Sequence, residues 1–285
     1  MNGAQALIES LKREGVTHMF GYAGATICPA VDALKDVPEI GYTLVRTEQN
    51  AGHMASGYAR VSGRVGVCMV TSGPGATNLI TGIATAYMDS IPMVAITGQV
   101  PSHLLGRDIF QEVDITGAVA PFSKHSYLVK DPNQIPRIVR EAFHIASTGR
   151  PGPVLIDIPI DVQEQTLKSF NWPEAVNIRG YKPSVKGNDL QIKRVAEAIG
   201  RAKQPIICAG GGVWLADAKT ELLELAESTG IPVVKTMMGI SVMPTDHPLN
   251  MGMIGSHGNH CANKALAKSD LLIMVGTRAA DRAII

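Results

Sequence analysis

Two hydrophobic periods alternate along the chain. Runs with no polar residue, of which Val65-Gly66-Val67-Cys68-Met69-Val70 is the clearest, are separated by segments whose apolar residues recur every three or four positions. A strand that is apolar on both sides needs cover on both faces, which is the mark of a parallel sheet between helices. The pattern predicts a first helix with Ala6, Leu7 and Leu11 on one face, closed by Gly15. It predicts strands over 18–22, 42–45, 65–71, 91–97 and 153–160, and helices over 49–61, 78–88 and 136–146.

The alternation lapses between 161 and 189, where Pro173 and Pro183 fall in a polar stretch that reads as a linker. A second series follows: helix 190–199, strand 205–209, helix 215–228, strand 231–235, helix 261–267 and strand 271–275. The expected organisation is therefore α/β, with a parallel-sheet domain over 1–163, a linker over 164–188 and a partial Rossmann-like domain over 189–285.

Composition narrows the function classes. Of 285 residues, 45% are apolar and 18% charged, so a large core is available and disorder is disfavoured. Net charge is +1 and no basic tract is interleaved with aromatics, which argues against nucleic acid as the partner. No run approaches the roughly 18 apolar residues of a membrane span, and the N-terminus lacks a signal-peptide pattern. Cys28, Cys68, Cys208 and Cys261 are widely spaced, without CxxC, as reduced thiols of a cytoplasmic protein would be.

Two strand ends carry the candidate chemistry. The strand before Glu48 delivers a carboxylate to the first turn of a helix, and the next strand delivers Thr71-Ser72-Gly73-Pro74-Gly75-Ala76-Thr77-Asn78. Both lie at carboxyl ends of neighbouring strands, where open α/β sheets bind ligands. A lone carboxylate beside a glycine platform can hold a flat heterocycle and exchange a proton with it; the plain alternative is a charge complementing a helix N-terminus. Gly-Pro-Gly matches neither GxGxxG nor the P-loop. The mixed-polarity segment 106–124 reads as a functional loop, in which Phe110 could wall a pocket and Gln111 and Lys124 could address a 2-keto acid; Lys124 could equally be a solvated charge. Ala209-Gly210-Gly211-Gly212 after a strand is a weak dinucleotide signal, and His257 alone reads as a turn or core histidine.

These motifs resemble the thiamine diphosphate-dependent enzymes, and among them the acetolactate synthase catalytic subunit. The matching pieces run in order: Gly21-Tyr22-Ala23-Gly24 with Pro29, Glu48-Gln49, Thr71 to Asn78, Thr97-Gly98-Gln99-Val100-Pro101, Phe110-Gln111-Glu112, Lys124-His125, Gly149-Arg150-Pro151-Gly152-Pro153, Ile254 to Gly258 and Gly276 to Arg282. The resemblance implies that Tyr22, Gly24, Glu48, Pro74, Gly75 and Asn78 surround the pyrimidine end of thiamine diphosphate, with Gln111 near the reacting centre. It implies an FAD without a redox role in the main reaction, held by Arg150, Gly210, Gly211, Gly212, Thr236, Gly255, His257, Gly276 and Arg278. Ala25, Pro101, Phe110 and Arg282 would face the substrate channel. The implied reaction joins pyruvate to pyruvate or 2-ketobutyrate with loss of CO2, in a homodimer or higher assembly with a possible regulatory subunit.

The sequence departs from that family at Ala23-Gly24-Ala25-Thr26 (usually Pro-Gly-Gly-Ala), at Thr47 (usually His) and at Ile160 (usually Lys). Gly-Asp-Gly, which in the family precedes the Mg²⁺-binding Asn of a third domain, does not occur. The expectation is an N-terminal part of the enzyme, with Mg²⁺ ligands outside it, inactive alone. The open alternatives are a related thiamine enzyme, such as sulfoacetaldehyde acetyltransferase or a 2-keto acid decarboxylase, and a non-catalytic nucleotide-binding protein of the same fold.

Overall fold

The computed structural model describes residues 1–280, and contacts divide the chain into two compact units, Met1–Val185 and Lys186–Ile285. In the first, α1 (Gly3–Arg13) leads to β1 (His18–Tyr22), α2 (Cys28–Ala33) and β2 (Gly41–Leu44). Next come α3 (Glu48–Ser62), β3 (Gly66–Val70), α4 (Pro74–Met88) and β4 (Met93–Gln99). The unit continues with α5 (Ile115–Val119), β5 (His125–Leu128), α6 (Ile135–Ser147), β6 (Pro153–Pro159) and α7 (Ile160–Glu164).

The six strands pair in parallel in the order β2-β1-β3-β4-β6-β5. Every residue of β3, β4 and β6 is buried, as the wholly apolar β3 and the mostly apolar β4 and β6 require. One face packs on α1, α2, α6 and α7 through Leu7, Leu11, Ala30, Val139 and Val162. The other packs on α3, α4 and α5 through Ala51, Ala55, Leu79, Ile83 and Ile115. α3 and α4 approach so closely that a methyl on Gly52 would lie 3.0 Å from the Gly82 Cα.

The second unit contains α8 (Asp189–Arg201), β7 (Pro205–Ala209), α9 (Gly211–Leu215), α10 (Lys219–Thr229), β8 (Val233–Lys235), β9 (Asn250–Met253), α11 (His260–Lys268) and β10 (Leu271–Val275). Its parallel sheet has the order β10-β7-β8-β9. Val213, Leu222 and Ala226 cover one face, and Ala262 with Ala265 and Leu266 covers the other.

Several elements differ from the expected pattern. The strands β5 (His-Ser-Tyr-Leu) and β9 (Asn-Met-Gly-Met) are four residues long and half polar or glycine-interrupted, so no period announces them. The segment read as a loop over 106–124 contains α5. The helix expected over 215–228 begins at Lys219; the short α9 precedes it, and Asp217 takes a positive φ of 51° between the two. The first part of the expected linker is fastened to the first unit. Gly3 N donates to the Gln165 carbonyl at 3.0 Å, Leu167 N to the Met1 carbonyl at 3.1 Å, and Leu167 enters the core. Phe170 and Trp172 stack there, with the Arg13 guanidinium 4.9 Å from the Phe170 ring.

Two glycines near each other in sequence separate steric need from chance. A methyl on Gly66 would overlap the Ala55 carbonyl, whereas one on Gly57, inside α3, meets nothing within 4 Å. Gly66→Ala should lower unfolding free energy by about 2 kcal/mol or more, and Gly57→Ala should raise it by about 0.5–1 kcal/mol. Urea denaturation of the two variants checks the opposite signs.

Candidate functional site

From β1 the chain builds β2 on one side and then crosses to place β3 on the other, so the loops leaving β1 and β3 diverge at a switch point. That crevice, at carboxyl ends of strands, is where this topology accepts ligands. Thr47 occupies the N-cap of α3, its hydroxyl accepting from Asn50 N at 3.4 Å, and so sets Glu48 as the first helical residue. The cap gives Thr47, one of the residues expected to depart from the family pattern, a local role. Glu48 is only 9% exposed, and its Oε2 accepts from Asn78 Nδ2 at 3.0 Å. Glu48 and Asn78 each lie one helical turn before the Gly52–Gly82 crossing, so the absence of side chains there lets the carboxylate and amide meet.

Beside that pair the surface is bare backbone. A methyl on Gly75 would come 2.6 Å from Thr71 Cγ2 and 3.4 Å from Glu48 Oε1, and one on Gly24 would come 2.6 Å from the Thr71 side chain. Thr71 and Thr26 share a hydroxyl hydrogen bond of 2.9 Å, and Ser72 N donates to Thr26 Oγ1 at 3.0 Å, stitching the two loops together. Gly73 turns the chain into α4 with φ +58°, and a methyl on it would strike Gln111 Cβ at 2.8 Å. Tyr22, Ala25 and Pro74 are exposed around this platform. Thus Tyr22, Gly24, Ala25, Glu48, Pro74, Gly75, Asn78 and Gln111 belong to one edge of the sheet. Pro101 and Phe110 sit on the loop that carries Gln111; Phe110 is 86% exposed.

Lys124 does not join this set. It lies just before β5, at the amino edge of the sheet, and its ammonium donates to the carbonyls of Ile145 and of Thr148 (2.7 Å) and to the Tyr181 hydroxyl (2.9 Å). All three donors are spent at the C-terminus of α6, where a cation complements the helix dipole. This replaces the keto-acid contact expected for it. Arg150 also lies at the amino edge, just before β6; its Nε donates to Ser90 Oγ at 2.8 Å and its guanidinium lies 5.7 Å from the Tyr87 ring centroid. A cavity of about 750 Å³ opens at that edge, lined by Thr17, His18, Tyr58, Arg64 and Arg140 among others. It holds none of the candidate residues, and its Arg140 is already paired with Glu14 at 2.8 Å, so the switch-point crevice, which carries the candidate side chains, is the candidate site.

Sequence reading missed Asp157, which is 1% exposed in the middle of the sheet. Thr97 Oγ1 donates to its Oδ1 at 2.6 Å and Gln99 Nε2 to its Oδ2 at 2.9 Å. A single acid inside Pro153-Val-Leu-Ile-Asp-Ile-Pro was the available signal. Burial pushes its pKa up to about 7; the Thr97 and Gln99 bonds oppose the rise and the Asp114 charge adds to it.

In the second unit the switch point lies between β7 and β10. Gly210, Gly211 and Gly212 leave β7 there, and Gly276 (φ +59°) leaves β10. Gly212 N donates to the Gly276 carbonyl at 2.7 Å, and a methyl on Gly210 would lie 2.5 Å from that oxygen. Thr236 follows β8, and Gly255 (φ +102°) follows β9, held on both sides by the Asn263 amide at 2.9 and 3.0 Å. His257 and Arg278 are exposed on the same edge. Arg282 lies outside the described residues.

Residues 1–118 match the thiamine pyrophosphate enzyme, N-terminal TPP binding domain, and residues 192–284 match the thiamine pyrophosphate enzyme, central domain. The chain belongs to the thiamine pyrophosphate enzymes. It is 51% identical over 284 residues to a probable acetolactate synthase large subunit of Methanocaldococcus jannaschii, covering 99% of this chain and 48% of the relative. It is 52% identical over 282 residues to an acetolactate synthase of Mycobacterium bovis (99% and 46%) and to an acetolactate synthase large subunit of Corynebacterium glutamicum (99% and 45%). The chain thus spans about half the length of the curated relatives it matches.

The crevice suits the pyrimidine end of thiamine diphosphate. A nearly buried carboxyl faces a flat glycine surface that a Cβ at Gly75 would fill. Among the described residues no three His, Cys, Asp or Glu side chains gather as metal ligands.

The Asp157 shift has a stability consequence with a definite sign. The folded chain holds this proton more tightly than the unfolded chain. The site's contribution is therefore fully present below about pH 4 and is lost as pH rises to about 7. Urea midpoints of the wild type should fall relative to those of Asp157→Asn, which cannot titrate, between about pH 5 and about pH 7.5. Parallel pH profiles would show that Asp157 does not titrate in that window.

Proposed function

We propose that this chain supplies the pyrimidine-binding and FAD-binding parts of an acetolactate synthase. The observation that carries the reading is the Glu48–Asn78 pair beside Gly75 at the switch point, in a chain half identical to proteins named acetolactate synthases. Thiamine diphosphate, when bound, supplies a carbon nucleophile that takes the acyl unit of a 2-keto acid as CO2 leaves. Glu48 donates a proton to a pyrimidine ring nitrogen, and Asn78 fixes the orientation of its carboxyl. Tyr22, Gly24, Pro74 and Gly75 form the flat wall, and Gln111 donates to the keto acid.

Ala25, Pro101 and Phe110 border the acceptor's path. Two pyruvates give 2-acetolactate and CO2, and pyruvate with 2-ketobutyrate gives 2-aceto-2-hydroxybutyrate and CO2. The glycine edge of the second unit, with Thr236, Gly255, His257 and Arg278, holds FAD. Mg²⁺ and the diphosphate are held by residues beyond those described. The enzyme works in the cytoplasm as a homodimer or larger assembly, and the large-subunit names of its relatives support a smaller regulatory partner. Among the described residues no helix is long and apolar enough to cross a membrane.

The test is acetolactate formation from pyruvate with thiamine diphosphate, Mg²⁺ and FAD. It compares this chain alone with this chain joined in frame to the remaining C-terminal segment of the Methanocaldococcus jannaschii relative. The joined protein should form acetolactate and the 285-residue chain alone should not. Gly75→Val in the joined protein should reduce activity by roughly 10²-fold or more, through loss of cofactor binding. An inactive joined protein that binds the cofactor and stays folded would refute the synthase reading.

A further inference from the structure

The loop between β4 and α5 carries Gln111 but has little apolar anchorage of its own. Gly106, Arg107, Asp108 and Phe110 are exposed, and both Asp108 (φ 54°) and Gln111 (φ 60°) adopt a left-handed backbone that non-glycine residues disfavour. Such conformations persist only where the surroundings over-determine them. Here the surroundings are polar ties. Inside the loop the Glu112 carboxylate accepts from Gly106 N and from Ile109 N (3.3 Å), and these backbone donors hold its pKa below the usual range.

The ends of the loop lead to β6 and to the helix that follows it. At its start, Ser102 N and Oγ donate to the two oxygens of Asp161 at 2.8 and 2.6 Å. At its end, the Val113 carbonyl accepts from Gln99 Nε2 at 2.8 Å, and that same amide nitrogen donates to Asp157 at 2.9 Å. The Gln99 oxygen is held in turn by Val100 N at 2.9 Å, so the amide cannot turn without losing a buried bond. Asp157 and Asp161 are four residues apart, at the end of β6 and the first turn of α7. Between the two anchors Gln111 rests on the Gly73 turn, where only a glycine leaves room for it.

We propose that Asp157 and Asp161 are positioning residues that clamp the two ends of loop 101–113 and thereby seat Gln111 against the glycine turn. Asp161 acts directly on Ser102, and Asp157 acts through Gln99 on Val113. What Gln111 then does to substrate rests on the synthase reading; the clamp itself does not.

Hydrogen exchange of the 285-residue chain, followed by mass spectrometry on peptides covering 102–113, tests the clamp. Asp157→Leu keeps the side-chain shape but accepts no hydrogen bond, and Asp161→Ala frees Ser102. Each should speed exchange in the loop about tenfold or more while β4 and β6 peptides stay protected. Asp157→Asn, whose oxygen can still accept from Gln99 while its nitrogen donates to Thr97, should behave as wild type. Unchanged loop exchange in Asp161→Ala and Asp157→Leu, or loosening by Asp157→Asn equal to that by Asp157→Leu, would overturn the proposal. If Asp157→Leu loosens the sheet itself, Asp161→Ala, outside the strands, decides alone. In the joined protein, Asp161→Ala should raise KM for pyruvate about tenfold with half-saturation by thiamine diphosphate unchanged. A loosened loop with an unchanged KM would overturn the link to Gln111. An inactive wild-type joined protein would instead overturn the synthase reading and leave the exchange result to judge the clamp.

Discussion

The site depends on one close approach, the crossing of α3 and α4 at Gly52 and Gly82. With any larger residue at either position the helices would stand further apart, and the first turns of both would follow. Glu48 and Asn78 sit one turn upstream of that crossing, so the distance that lets an amide reach a nearly buried carboxylate is set by two absent side chains. The parallel sheet supplies the rest. It brings three strand ends to one edge, and the change of direction between β1 and β3 opens the crevice there.

The two edges of the first sheet divide the labour. The carboxyl edge carries bare glycine backbone, a partly desolvated acid and a loop held in a strained shape. The amino edge carries Lys124, whose three donors are spent at the end of α6, and Arg150, whose Nε and Nη2 donate to Ser90 and to the Tyr87 carbonyl. A lysine reads in sequence as a free charge, and only its place before a parallel strand, rather than after one, shows that it faces the opposite edge from Glu48.

Sequence patterning located the strands that are buried on both faces and the helices that cover them, because burial on both faces leaves a mostly apolar run. It did not locate β5 and β9, whose few residues are ordered by neighbouring strands rather than by their own period. The Glu48 and Gly73-Pro74-Gly75 segments were legible as a pair, since strand-end position follows from the alternation. The network of Thr97, Gln99 and Asp157 was not, because its members lie some 60 residues apart and meet only through the β4–β6 register, in which Thr97 faces Asp157. Phe110 drew attention as an apolar residue in a polar loop, yet it is exposed; what seats that loop is a set of carboxylates whose partners are backbone groups invisible to pattern.

The central claim is that Glu48, held by Asn78 beside the glycine platform, moves the proton that activates the bound cofactor. The most direct test is quenched-flow exchange of the thiamine diphosphate thiazolium C–H for deuterium, read by NMR on the joined protein without substrate. Glu48→Gln should slow that exchange by roughly 10²–10⁴-fold while the cofactor still binds. Exchange at the wild-type rate in Glu48→Gln would contradict the account.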